Sequence, residues 1–297
     1  MKLRIGSRSS PLALKQVEIF VSHLKQKFDF SYEIIEVKTS GDLIQNKPLY
    51  DIGGKALFLK ELEAELLSKK IDVAIHSLKD VPGEISHEFS LACFIGREYP
   101  LDSFISLKYK SLSDLPDYAK IGTCSPRRII SIKKLRPDLN IVPLRGNIET
   151  RIKKLYTEDL DAIILAEAGL RRMNLWDDNI CFSINASQII PAVGQGIITA
   201  QILSEREDLK EKLSQIKFDY DFELKVERDF LRYLSADCDS PVACYVKNDN
   251  GIMKGIFMYA KSFQDEPNII IENLNRDELA IGERLAKKVS SNTKSDN

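Results

Sequence analysis

Two stretches of this chain repeat one local design more than a hundred residues apart. They are IGSRSSP at residues 5–11 and IGTCSPRR at residues 121–128. In each, an apolar run closes at a glycine, a short polar loop follows, and a serine then precedes a proline. Ser10 and Ser125 are natural N-caps, and Pro11 and Pro126 natural first helical residues, because proline lacks the N–H that a helix start leaves unpaired. After Pro11 the apolar positions Leu12, Ala13, Val17, Phe20, Val21, Leu24 and Phe28 fall on one helical face. Strand, tight loop and helix in that order place free backbone N–H groups at the positive end of a helix, where α/β folds bind anions. Two such junctions imply two α/β domains facing each other across a cleft.

The intervening segments fit this plan. EIIEVKTS (33–40), IDVAIHS (71–77), NIVPLRG (140–146) and LDAIILA (160–166) read as strands, and residues 56–69 and 147–156 as helices. Their alternation implies largely parallel sheets. From about residue 220 the pattern changes. A helix near 221–235 leads to the loop ADCDSP, strand-like VACYVKN and GIMKGIFMYAKS meet at the hairpin signal DNG, NIIIENL adds a third strand, and residues 276–289 a closing helix. The tail SSNTKSDN is polar, as expected of a disordered end.

With 297 residues and a formal net charge of −1, the chain is long enough for two or three domains. It has no global field for nucleic acid or an acidic membrane, so anion binding must come from local clustering of Arg and Lys. No run approaches the length of a membrane span and the N-terminal residues do not read as a signal peptide, so a cytoplasmic protein is expected. Five scattered cysteines without a CxxC pair, and three isolated histidines, argue against both a disulfide framework and a metal site.

Candidate chemistry concentrates at the strand ends. HSLKDVP places Lys79 and Asp80 just beyond a strand, where ligands sit in parallel α/β sheets. Arg8, Arg127, Arg128, Arg145, Arg151 and Arg172 all lie at or near strand-to-helix transitions, and Lys55 and Lys79 lie in loops able to reach the same space. Any one of these is ordinarily a surface cation, but their shared topological position points to a polyanion site. PAVGQG (191–196) offers two glycines where backbone can approach a ligand. The long polar connection GDLIQNKPLYDIGGK (41–55) reads equally as a surface loop or an active-site lid. In ADCDSP, Asp237 and Asp239 flank Cys238 and disfavour its thiolate, an odd setting for a nucleophile or metal ligand.

Taken together, RIGSRSSPLAL, GGKALFLKELE, HSLKDVP, GTCSPRR, LRGNIETR, AEAGLRR, PAVGQG and ADCDSPVA resemble the porphobilinogen deaminase (hydroxymethylbilane synthase) family in order and spacing, from residue 3 to about residue 245. The resemblance implies a dipyrromethane cofactor joined by a thioether to Cys238. The cysteine is then alkylated once and serves as an anchor, so its thiol need not stay a low-pKa nucleophile, and activation falls on the electrophile, an azafulvene formed when an aminomethylpyrrole loses ammonia. Asp80 matches the catalytic aspartate. Arg8, Lys55, Ser77, Lys79, Thr123, Ser125, Arg127, Arg128, Arg145, Arg151, Arg172 and Gln195 match the cofactor and substrate contacts. The implied reaction condenses four porphobilinogens head to tail on the cofactor and releases hydroxymethylbilane by hydrolysis.

The implied fold is two similar domains related to periplasmic binding proteins plus an α+β domain with a three-stranded antiparallel sheet. Its expected bounds are 1–96 with 196–216, 97–195, and 217–297. A monomer without metal, nucleic-acid partner or membrane is expected. Departures from the commoner pattern are Asp51, Cys124, Pro126, Ala236, Asp237 and Asp239, with a short last helix after GERLAKKV. A non-catalytic anion-binding protein of the periplasmic type would have no use for Cys238 or Asp80. An RNA-binding protein would be expected to have a basic pI and clustered exposed aromatics.

Overall fold

The computed structural model describes residues 2–39, 59–236 and 240–291. The two junctions form as expected. Strand β1 (Lys2–Arg8) runs into α1 (Pro11–Lys25), where the Ser10 hydroxyl accepts the Ala13 N–H at 3.3 Å. Strand β6 (Lys120–Gly122) runs into α3 (Pro126–Leu135); Ser125 holds the N-cap position there without a side-chain capping bond.

Each junction lies in a five-stranded sheet, and the two sheets share one pattern. In the first, β1 is flanked in parallel by β2 (Ser31–Val37) and β3 (Val73–Ser77). Beyond β3 come β10 (Ile198–Leu203) and β4 (Phe89–Ile95), antiparallel, giving the order β2-β1-β3-β10-β4. In the second, β6 is flanked in parallel by β7 (Asn140–Val142) and β8 (Ala162–Ala166), followed by antiparallel β5 (Asp102–Ile105) and β9 (Cys181–Ile184). The expectation of largely parallel sheets is therefore corrected, since half of the strand pairings in each sheet are antiparallel. The reason is topological: β5 and β10 are the strands by which the chain crosses from one sheet to the other, so each enters its new sheet from the cleft side and runs against its neighbours.

Helix α1 and α6 (Glu207–Leu213) cover one face of the first sheet, with Val17, Phe20, Leu24, Leu209 and Leu213 buried against Ile5, Ile75 and Ala200. Helix α2 (Lys60–Leu67) covers the other face through Leu62 and Leu66. In the second sheet α3 packs on one side, and α4 (Ile148–Thr157) with α5 (Glu167–Arg172) on the other. Asn147 caps α4 by accepting the Thr150 N–H at 2.8 Å.

The C-terminal part has a long helix α7 (Asp221–Tyr233), an antiparallel sheet β11 (Val242–Asp249), β12 (Ile252–Tyr259) and β13 (Asn268–Leu274), and α8 (Ile281–Ser291). One face of this sheet packs on α7 and α8. The other meets α3 and its surroundings through Ile130, Ile190, Ala243, Ile256 and Met258. The last helix begins five residues later than its apolar pattern suggests. The Asn275 side chain accepts the Asp277 N–H at 3.1 Å, closing a turn, and Ala280 adopts φ 53°, which no helix continues through. Gly282 then lets α8 approach α7 so closely that a Cβ would lie 2.3 Å from the Val226 carbonyl oxygen. The tail SSNTKSDN is expected to be disordered, but its first two residues, Ser290 and Ser291, close α8; the rest, 292–297, lies outside the described residues, as does the 41–55 connection.

Candidate active site

The N-termini of α1 and α3 open onto one cavity of about 680 Å³ between the two sheets. Residues from the ends of β1, β3, β7 and β8 complete its walls. The Lys79–Asp80 turn sits at its edge as a single 3-10 turn, Leu78–Asp80, fixed by the Leu78 N–H on the Ile197 carbonyl at 3.0 Å and the Val81 N–H on the Leu78 carbonyl at 3.0 Å.

The charge of this cavity is lopsided. Among the described residues that line it, Arg8, Lys38, Lys79, Arg127, Arg128, Arg145, Arg151 and Arg172 are cationic, and Asp80 is the sole carboxylate. Lys38, at the end of β2, was not legible as a site residue. Burial and the nearby Arg127 and Arg128 push the Lys79 ammonium down to about 8, with Asp80 opposing the shift. Burial, with Arg128 and Arg145 adding to it, pushes Arg151 down to about 10. Neither has a carboxylate partner within ion-pair distance among the described residues; Arg151 donates through Nε to the Gly146 carbonyl at 2.7 Å. A cluster of cations that burial and mutual repulsion drive toward neutrality is a site waiting for anions.

Arg127 and Arg128 have a second commitment. Both reach the carboxylate of Asp102, which is fully buried at the start of β5: Arg127 Nη1 to Oδ2 is 2.6 Å and Arg128 Nη2 to Oδ1 is 2.7 Å. Arg128 Nη1 also donates to the Ile164 carbonyl at 3.0 Å, and Gln195 Nε2 to Asp102 Oδ1 at 3.1 Å. Together the two guanidiniums hold the Asp102 carboxyl well below the usual carboxylate range. The knot ties α3 to β5, β8 and the PAVGQG segment, and keeps one net positive charge at the cavity wall.

Other expected residues divide by position. Ser77, Ser125 and Gln195 line the cavity; Ser77 accepts a hydrogen bond from Gln16 Nε2 at 2.7 Å, and Gln195 Oε1 is buried without a partner among the described residues. Thr123 does not line it. It is buried beneath the loop, and its hydroxyl accepts the Ser125 N–H at 3.3 Å. Arg172 faces the cavity but also donates to the Gly196 carbonyl at 2.6 Å and approaches Glu98 at 3.4 Å. Both glycines of PAVGQG are required by close packing, and Gly196 also lines the cavity. Gly196, at φ 89°, would place a Cβ 2.4 Å from the Glu98 carbonyl oxygen, and Gly194, at φ 68°, lies over Leu78. Lys55 and Cys238 lie outside the described residues. Cys124 lines the cavity, and burial raises its thiol above the ordinary value.

Helix α7 stitches the three parts together. Glu227 is fully buried; Oε1 pairs with Arg97 and accepts the Val246 N–H at 2.8 Å, and Oε2 accepts the Gly194 N–H at 3.0 Å. Sequence patterning had no means of finding Asp102, Arg97 or Glu227, because a charge in an amphipathic segment reads as solvated until its partner is placed.

Residues 3–211 match the family model described as porphobilinogen deaminase, dipyromethane cofactor binding domain. The chain is also 51% identical over 247 residues to the porphobilinogen deaminase of Rickettsia canadensis (strain McKiel), covering 82% of each chain. It is 49% identical over 259 residues to that of Rickettsia bellii (strain OSU 85-389), covering 86% of each. The chain belongs to the porphobilinogen deaminase family. Among solved structures it is similar to a probable amino-acid ABC transporter extracellular-binding protein, ytmK, from Bacillus subtilis. That match has 12% identity, a TM-score of 0.42, and covers 73% of this chain and 90% of the other.

The residues present suit the cofactor named in the porphobilinogen deaminase family model. Its pyrrole rings carry acetate and propionate groups, and the cavity supplies two helix N-termini and, among the described residues, the buried cations Lys79 and Arg151 without carboxylate partners and a buried amide oxygen without a donor. Among the described residues no cluster of metal-ligating side chains occurs, and no helix is long and apolar enough to cross a membrane.

Proposed function

We propose that this chain condenses four porphobilinogen molecules head to tail on a dipyrromethane joined by a thioether to Cys238, releasing ammonia at each addition and finally hydroxymethylbilane. When bound, the dipyrromethane supplies the free pyrrole α-carbon at which the first addition occurs. The observation that carries the reading is the isolation of Asp80, which among the described residues is the one carboxylate beside eight cationic side chains lining the cavity.

The cations answer to the substrate's carboxylates. Charge-assisted bonds to carboxylates each contribute roughly 1.5–3 kcal/mol, so a set of them holds each incoming ring while solvent is displaced. Asp80 has the opposite task. Its oxygens accept no hydrogen bond among the described residues, which leaves them for the pyrrole N–H groups of the substrate. As ammonia departs from the aminomethyl carbon, positive charge spreads into that ring, and a carboxylate already fixed beside the N–H stabilises it without reorganising. The same oxygens are placed to take up a proton when the new ring–ring bond forms and the α-carbon loses its hydrogen. Arg8, Lys55, Lys79, Arg145, Arg151 and Arg172, with Ser77, Ser125 and Gln195, hold the carboxylates. Arg127 and Arg128 shape the wall and lend it their residual charge, while Thr123 supports the loop beneath Ser125.

We propose the domain bounds 1–96 with 196–216, 97–195 and 217–297, a division supported by the grouping of strands into three sheets. We further infer a cytoplasmic monomer engaged in tetrapyrrole biosynthesis. Intact mass of the denatured protein tests the central claim. The wild type should exceed its sequence mass by one dipyrromethane and Cys238→Ala should not; an unmodified mass in active wild type refutes it.

A further inference from the structure

Arg228, on α7, is 8% exposed, yet no carboxylate pairs with it among the described residues. Its fork is engaged by two backbone carbonyls: Nη1 donates to Val81 at 2.9 Å and Nη2 to Gly83 at 3.2 Å. Burying a guanidinium against neutral acceptors alone is unfavourable, and here burial, aided by nearby Arg232, pushes it down to about 10. A methionine or leucine would fill the space without that penalty. What the arginine secures is geometry at one place, because Val81 is the residue after Asp80.

The surrounding contacts lead to the same turn. The Gly83 N–H donates to the Ala236 carbonyl at 3.2 Å, and the Gly83 backbone lies so close to α7 that a Cβ there would sit 2.8 Å from the Arg232 nitrogen. Upstream, Leu78 is fully buried beneath Gly194 and its N–H is held by Ile197. The Lys79–Asp80 turn is thus gripped from behind by the PAVGQG segment and from ahead by α7. Arg228 is the one side chain in that grip whose planar fork spans two carbonyls, which an ammonium does not reproduce.

We propose that Arg228 is a positioning residue, its guanidinium fixing the turn that carries Lys79 and Asp80 in the geometry every ring addition requires. This rests on the reading of Asp80 given above. Arg228 does not line the cavity. It acts through the backbone of residues 81–83, and a displacement of about 1 Å in a reacting group is enough to slow a step about a hundredfold.

The test uses full-length holoenzyme of wild type, Arg228→Met, Arg228→Lys and Asp80→Asn, with two readouts. Hydrogen exchange of the peptide spanning residues 78–84 reads the turn directly, without turnover. Rapid-quench mass spectrometry reads the rate of each pyrrole addition per cofactor-bearing molecule. Arg228→Met should raise exchange in that peptide at least tenfold while β10 stays protected, and should slow every addition by a common factor of ten or more. Arg228→Lys should fall between, and carries the test alone if Arg228→Met does not fold. Unchanged exchange at 78–84, or increased exchange with addition rates within twofold of wild type, overturns the proposal. Normal rates in Asp80→Asn would instead overturn the catalytic reading. Slow Asp80→Asn with normal Arg228 variants overturns the positioning role alone.

Discussion

Replacing Asp102 by asparagine should expose how much of the molecule's stability hangs on a residue that touches no ligand. Five hydrogen bonds of 2.6–3.2 Å converge on its two oxygens, from Arg127, Arg128 and Gln195. The substituted amide would keep one acceptor and turn its N–H₂ toward donors, leaving two buried guanidiniums without a counter-charge. Removing one member of a buried ion pair costs about 3–5 kcal/mol, and two cations share this one carboxylate. The expected loss is therefore at the upper end, about 5 kcal/mol, which corresponds to a fall in Tm of roughly 10–20 °C. Urea unfolding of the cofactor-free protein measures it without the stabilisation that ligand adds. Because the folded carboxyl titrates far below the unfolded one, the knot's contribution is complete above about pH 4 and is lost only in stronger acid. The deficit should hence be constant between about pH 5 and pH 8. Adding Arg128→Met to Asp102→Asn should recover part of the loss, since one uncompensated charge disappears. A deficit under about 1 kcal/mol, or strict additivity in the double variant, would refute the claim that Asp102 is the counter-ion of this wall.

Three further outcomes are expected. Asp80→Asn, which keeps the shape of the side chain but not its charge, should slow pyrrole addition about a hundredfold or more with cofactor content unchanged in protein reconstituted with the cofactor; near-normal turnover in folded material removes Asp80 from the mechanism. Buried His76, whose ring nitrogen Nε2 bonds Gln201 at 3.0 Å and whose imidazole is pushed down to about 4, stays neutral when folded but protonates when unfolded. Stability should fall as pH drops from about 6.5 to about 4, by roughly 3 kcal/mol, and His76→Gln should flatten that slope in urea titrations. Lys79, held near 8 by burial and the nearby Arg128 and Arg127, should regain its proton when carboxylates arrive, so titration calorimetry of porphobilinogen binding at about pH 8.5 should show proton uptake that varies with buffer ionisation enthalpy and vanishes in Lys79→Met.

What was legible in the sequence was local. Ser10 with Pro11 and the DNG hairpin each announce themselves within a few residues, and the structure places them as expected. The arginines were legible as a set because strand ends and helix starts are. Their division of labour was not: Arg127 and Arg128 meet Asp102 from 25 and 26 residues away in sequence, through a strand pairing that no periodicity reveals. In DFELKVERDFLRY, Glu227 and Arg228 look like solvated helix charges until α7 is seen pressed between three bodies. The antiparallel strands FSLACFI and ITAQIL were not read from the sequence although Gly96 and Gly196 stand beside them, because their long-range pairing leaves no local trace. Lys38 escaped notice because a lone lysine just after a strand reads as a solvated charge.

The placement of β10 has a bearing on how the protein is made. That strand sits between β3 and β4, inside the first sheet, yet it is synthesised after the whole of the second sheet. As the chain leaves the ribosome, β1 to β4 emerge first and cannot close their core, because the strand that joins β3 to β4 does not yet exist. The second sheet, continuous from β5 to β9, is able to fold as soon as it is complete. The first body must then wait with apolar faces exposed until residues 198–203 arrive to close it, a late, long-range pairing that is intrinsically slow. The N-terminal third of the chain is consequently the part most in need of chaperones during translation, although it is synthesised first.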